Sequence, residues 1–87
     1  MKIDEVLKRY TFGQILKRLR EERLPGVSAR ELSTRCGSSA SLISKLESDS
    51  VVPSIVTFYK VVEQLKLNDH EISWLLKFAA LSGRRKE

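Results

Sequence analysis

Apolar residues along this chain recur at helical spacing, and apolar–polar alternation never persists for more than a few positions, so the pattern predicts helices and no strands. Phe12, Ile15, Leu16 and Leu19 follow the i, i+3, i+4, i+7 rhythm of one buried helix face and predict a helix over 12–23, ended by Leu24-Pro25-Gly26. A second helix is expected over 29–36, closed by Gly37, which takes a left-handed conformation at little cost. A third is expected over 40–48. Pro53 blocks its continuation, and a fourth starts near Ile55 with Ile55, Phe58, Val61, Val62 and Leu65 inward. The fifth spans 69–81. Ile3, Val6, Leu7 and Tyr10 repeat the same spacing and point to a short extra helix within an N-terminal segment, 1–11.

Starting signals agree with this division. A Ser or Thr with Glu or Gln three residues later forms a capping box that satisfies two backbone N–H groups reciprocally. Thr11 with Gln14 and Ser28 with Glu31 fit it, Asn68 with Glu71 is a close variant, and Ser39 and Ser54 can cap without the reciprocal partner. The expected architecture is all-α: a compact five-helix domain over 12–81, preceded by the N-terminal segment and followed by a basic tail, 82–87.

Composition narrows the function classes. With 87 residues, 41% hydrophobic and 31% charged, the chain has the material for one folded core and too little length for a catalytic domain with a separate cofactor fold. Cys36 and His70 are single, which excludes an internal disulfide and a zinc site built from Cys and His alone. No metal cluster, nucleophile with base or glycine-rich phosphate loop stands out, so the expectation is a binding protein without a cofactor rather than an enzyme. The formal charge is +5, and its excess lies at the ends: residues 1–35 hold nine basic and five acidic groups, whereas 36–81 are near neutral. A cationic surface suits a polyanion partner, although many basic proteins have none. No apolar run reaches the roughly 20 residues of a membrane span, and Met1-Lys2-Ile3-Asp4-Glu5 lacks the pattern of a signal peptide, so a cytoplasmic location is expected.

The most informative stretch is 28–54. Leu32, Cys36, Ile43 and Leu46 meet only if the chain reverses near Gly37, which leaves the outer face of the third helix free. Gly26-Val27-Ser28, Glu31-Leu32, Gly37, Ile43-Ser44-Lys45-Leu46-Glu47 and Pro53-Ser54 together resemble the helix-turn-helix family of phage repressor, Cro and Xre-type bacterial regulators, over residues 12–66. The resemblance implies a lambda-repressor-like domain whose third helix enters the major groove of double-stranded DNA. Carried over position by position, the base-facing residues are Ser39, Ala40, Ser41, Ser44 and Lys45. Only Lys45 is long enough to reach a guanine O6 or N7, so part of the selectivity is expected from DNA shape or bridging water. Arg20 and Glu47 occupy the places of a family ion pair that fixes the third helix. Lys17, Arg18, Arg30 and Arg35 are candidates for phosphate contacts, the plain alternative for each being a solvated charge.

Three positions and one loop depart from the family pattern. Ala29 stands where many relatives use Gln to hold a phosphate, Asp49 where Gly is usual, Ser38 where the residue is commonly apolar, and the loop at Leu24-Pro25 is longer than in the shortest relatives. Ser33 keeps the small size needed where two helices cross.

Helix five shows two apolar stripes. Ile72, Leu75, Leu76 and Ala79 are assigned to the core, and Trp74, Phe78 and Leu81 to a two-fold dimer interface, with burial by the N-terminal segment as the alternative. The expected function is a transcriptional repressor that binds an inverted repeat as a homodimer. The competing reading is a protein-interaction module, such as the antitoxin of a toxin–antitoxin pair, using the Trp74 and Phe78 face.

Overall fold

The computed structural model describes the backbone of residues 9–85 and the side chains of residues 9–80. Five helices follow one another: α1 Phe12–Arg23, α2 Ala29–Arg35, α3 Leu42–Glu47, α4 Ile55–Leu65 and α5 Asp69–Arg85, with no strand among the described residues. The expected all-α, five-helix architecture is what residues 12–85 adopt. Of the residues that predict the extra N-terminal helix, Ile3, Val6 and Leu7 lie outside the described residues, and Tyr10 is exposed and not helical.

Local chemistry sets the starts. Thr11 and Gln14 form the reciprocal box, with the Thr11 N–H donating to Gln14 Oε1 at 2.9 Å and the Gln14 N–H to Thr11 Oγ1 at 3.2 Å. Asn68 and Glu71 do the same at 3.0 and 2.8 Å. Ser54 caps α4 by accepting from the Thr57 N–H. The Ser28 box is only half formed. Its hydroxyl accepts from the Glu31 N–H, but the Glu31 carboxylate turns down the helix to Arg35, 2.8 Å away, because an i, i+4 cation competes with the cap.

Helix ends follow the left-handed closure. Gly37 at φ 68°, with Ser38 N–H donating to Ser33 O and Gly37 N–H to Thr34 O, completes a Schellman motif after α2. Asp49 at φ 62° and Lys66 at φ 53° do the same after α3 and α4.

One core gathers all five helices, with Phe12, Leu16, Leu32, Ile43, Leu46, Val61, Leu65 and Leu75 each almost wholly buried. Helix α1 is its axis and packs against α3, α4 and α5, while α2 packs on α3.

Four expectations are corrected. Helix α3 begins at Leu42 rather than near residue 40, since residues 39–42 form a tighter turn in which the Leu42 N–H donates to Ser39 O. Helix α5 runs to Arg85 rather than ending at Leu81, so Arg84 and Arg85 extend a helix instead of belonging to a tail; basic residues there suit the negative end of the helix dipole. Ile55 is 64% exposed, although Phe58 in the same turn is buried. On α5 the two stripes merge into one wide face centred on Leu75 and Phe78. Phe78 is only 2% exposed and Trp74 half-buried, whereas Leu76, assigned inward, is 49% exposed. Phe78 is therefore unavailable to a partner without opening the core, and Leu81 lies beyond the described side chains.

Candidate nucleic-acid interface

Helix α3 is only six residues long, too short to be stable by itself, so its position depends on what holds it. Its inner side is Ile43 and Leu46, both fully buried. Its outer side, with the turn before it, presents Ser39, Ala40, Ser41, Ser44 and Lys45, all exposed. None of these five is covered by the described part of the chain.

The start of α3 is held from the neighbouring helix. Ser41 at its N-cap has helical backbone angles and makes no side-chain cap, and the Ser39 hydroxyl takes no such role either. Instead Ser33 of α2, completely buried, accepts from the Ile43 N–H at 2.9 Å and donates to Ala29 O at 3.0 Å. A hydroxyl on α2 thus does for α3 what an N-cap residue does for its own helix. The consequence is functional: the hydroxyls of Ser39 and Ser41 need not cap the helix.

The far end of α3 is locked to α1 by three contacts. Arg20 grips Glu47 with two parallel bonds, Nε to Oε2 at 2.8 Å and Nη2 to Oε1 at 3.1 Å, and its Nη1 donates to Val27 O at 2.7 Å. Both side chains are about nine-tenths buried, and the hydrogen bond to Glu47 pushes the Arg20 pKa above its ordinary value despite the opposing effect of burial. Asp49, bent into the left-handed region, accepts from the Gly13 N–H at 2.9 Å and so caps the start of α1 from the end of α3. Gly13 completes the lock by its lack of a side chain. A Cβ there would stand 2.3 Å from Glu47 O and 2.6 Å from Leu46 O.

The remaining basic candidates separate into two groups. Arg18 lies 3.8 Å from Glu22 and Arg35 2.8 Å from Glu31, both pairs well exposed, so their charges are partly offset within their own helices. Lys17, Arg30 and Lys45 are exposed and make no ion pair with the described residues. Ala29 has no group for a phosphate, as its identity dictates.

Sequence reasoning located the outward face but missed three residues that aim it. In the sequence Ser33 stands out for size alone, Asp49 only for standing where Gly is usual, and Gly13 not at all. Each acts between helices, and sequence spacing carries no signal for that.

No group of three or more His, Cys, Asp or Glu able to hold a metal ion occurs among the described residues. Nor is any helix among them long and apolar enough to cross a membrane. Set against known families, residues 13–79 match the family model described as a helix-turn-helix domain. Curated proteins and solved structures gave no match.

Proposed function

The chain belongs to the helix-turn-helix domain family, and on that premise we propose that it is a DNA-binding transcriptional regulator that reads an inverted repeat as a homodimer, with α3 in the major groove. The observation that carries this reading is the uncovered outer side of α3, on a helix clamped to the core at both ends. A short rigid element with bare, small, hydroxyl-bearing residues can approach a duplex closely. Lys45 supplies the long base contact, the serines bond to whatever edge is presented, and Ala40 can touch a thymine methyl. Lys17 and Arg30 are the phosphate-contacting candidates of first choice, since their charges are not offset by a carboxylate among the described residues. Arg18 and Arg35 would first have to leave Glu22 and Glu31.

Occupation of a promoter would make the protein a repressor. So few base contacts from one copy give modest discrimination, and two copies on one duplex add theirs together.

Selection of duplexes from a random pool at fixed salt tests the proposal. An inverted repeat should be enriched. Replacing Lys45 by Ala should relax the preference at one position of each half-site by about 1–3 kcal/mol, and Arg30→Ala should weaken all sequences alike and lower the salt slope by about one unit. Absence of any enriched motif would overturn the reading and favour the protein-interaction alternative.

A further inference from the structure

Helices α1 and α5 leave an apolar groove of about 290 Å³ between them. The buried Leu75 and Phe78 form its floor, and the partly exposed Ile15, Leu19 and Trp74 its walls. Trp74, the one tryptophan of the chain, stacks on Phe78 with ring centroids 6.4 Å apart. The ion pair of Arg23 with Glu71 ties the end of α1 to the start of α5, so Leu19 and His70 mark one end of the groove and Ile15 and Phe78 the other. We propose that the occupant of this groove is the chain's own N-terminal segment: residues 1–9 form a helix antiparallel to α1 that covers the groove with Ile3, Val6 and Leu7.

The way the chain enters α1 is the first argument. Arg9 is helical, Tyr10 and Thr11 are not, and α1 starts at Phe12. Two helices joined by two residues are ordinarily antiparallel neighbours. Tyr10 also lines a shallow site on α1 with Gln14, Ile15 and Arg18, and Ile15 is shared with the groove. The segment before Tyr10 therefore joins the fold at the Ile15 end of the groove.

Sequence and length agree with this entry. Ile3, Val6 and Leu7 stand at i, i+3 and i+4, one stripe of a helix, and Asp4 with Glu5 near its start and Lys8 with Arg9 at its end suit the helix dipole. A helix of nine residues is too short to be stable alone, so its stripe must be buried for it to form. Nine helical residues extend about 14 Å, and His70 to Phe78 along α5 about 12 Å. From Leu7 to Ile3 the rise is about 6 Å, as it is from Ile15 to Leu19, which sets Leu7 beside Ile15 and Ile3 beside Leu19 and Trp74.

Tethering favours this segment over other occupants. Two residues away from α1, it is present at the groove at an effective concentration on the order of millimolar, which a second copy or a free partner has to exceed. The inference does not depend on DNA reading. It closes the α5 face that the protein-interaction alternative needs, so a protein partner would first have to displace the segment.

The test is NMR and fluorescence of the full chain without DNA. Nuclear Overhauser contacts are expected in the wild type between the methyl groups of Ile3, Val6 and Leu7 and the rings of Trp74 and Phe78, and their absence would overturn the inference. Trp74 emission should not change with protein concentration. Replacing Val6 and Leu7 together by Ser should shift that emission to longer wavelength and increase its quenching by acrylamide, whereas Lys8→Ser, on the opposite side of the same helix, should do neither. A Trp74 that responds to concentration but not to the double substitution makes a second copy the occupant. One equally accessible in wild type and double variant leaves the groove open to solvent or to an outside partner. Either result overturns the inference. Cooperative thermal unfolding checks that the variants fold, and the wild-type Overhauser contacts carry the test if the double variant does not.

Discussion

Gly13 and Asp49 show how single residues aim the reading helix. The backbones of α1 and α3 approach so closely at Gly13 that even a methyl group would meet two carbonyl oxygens well inside contact distance. Gly13 itself has ordinary helical geometry, so the requirement is space and not conformational freedom. Asp49 has the opposite history: it occupies a left-handed conformation that costs a non-glycine residue about 1 kcal/mol, and its carboxylate recovers this by accepting a charge-assisted bond from the Gly13 N–H. That exchange explains why Asp can stand where relatives use Gly. Replacing Gly13 by Ala should lower the free energy of unfolding by about 2–3 kcal/mol, measured by denaturant titration, with a further loss of DNA affinity as the end of α3 is pushed away from α1. A variant as stable as the wild type would mean that the helices are not in this close register.

At the scale of elements, what could be read from the sequence was what is local. The Thr11–Gln14 and Asn68–Glu71 caps and the closure at Gly37 are decided within six residues, and each formed as its spacing predicts. The faces of α4 and α5 were less legible. Periodicity identifies an apolar arc but not which of its edges the core covers, so it places Ile55 inward although that residue is 64% exposed. On α5 the arc is wide, and two stripes three residues apart look separate in sequence while forming one surface around Leu75 and Phe78. The start of α3 was the least legible, because its cap comes from Ser33, ten residues earlier and on another helix. Ser33→Ala should therefore cost about 1–2 kcal/mol of stability, by leaving the Ile43 N–H buried without an acceptor. Ser39→Ala, at the position expected to cap, should change stability little and alter DNA binding. Thermal unfolding of the two variants side by side distinguishes a cap supplied by the scaffold from one supplied by the turn.

Taken as a whole, the molecule puts its one thiol into the core beneath the turn that leads to the reading helix, and this couples global stability to alkaline pH. Cys36 is 4% exposed, at the C-cap of α2, and burial pushes its pKa above the ordinary 9.0, against the smaller opposing effect of the charge of Lys60. The neutral thiol is the form the core accepts. In the unfolded chain the thiol ionises near 9.0, while in the folded chain it keeps its proton to higher pH. Over that window the folded state binds more protons than the unfolded state, so the unfolding free energy must fall as pH rises. Below the ordinary thiol value this contribution is fully present. Contributions of other groups are common to wild type and to a variant at this position. Comparison with Cys36→Ala removes them: the variant should be less stable at neutral pH by a cavity cost of about 1 kcal/mol, and the gap to wild type should narrow as pH passes 9.0. Cys36 is buried, so its alkylation requires an opening of the fold; the rate should follow the population of open or unfolded chain, and adding the selected duplex should slow it. Rapid alkylation of the free, folded chain at neutral pH would show that α2 and α3 separate readily despite the bonds that hold α3 at both ends.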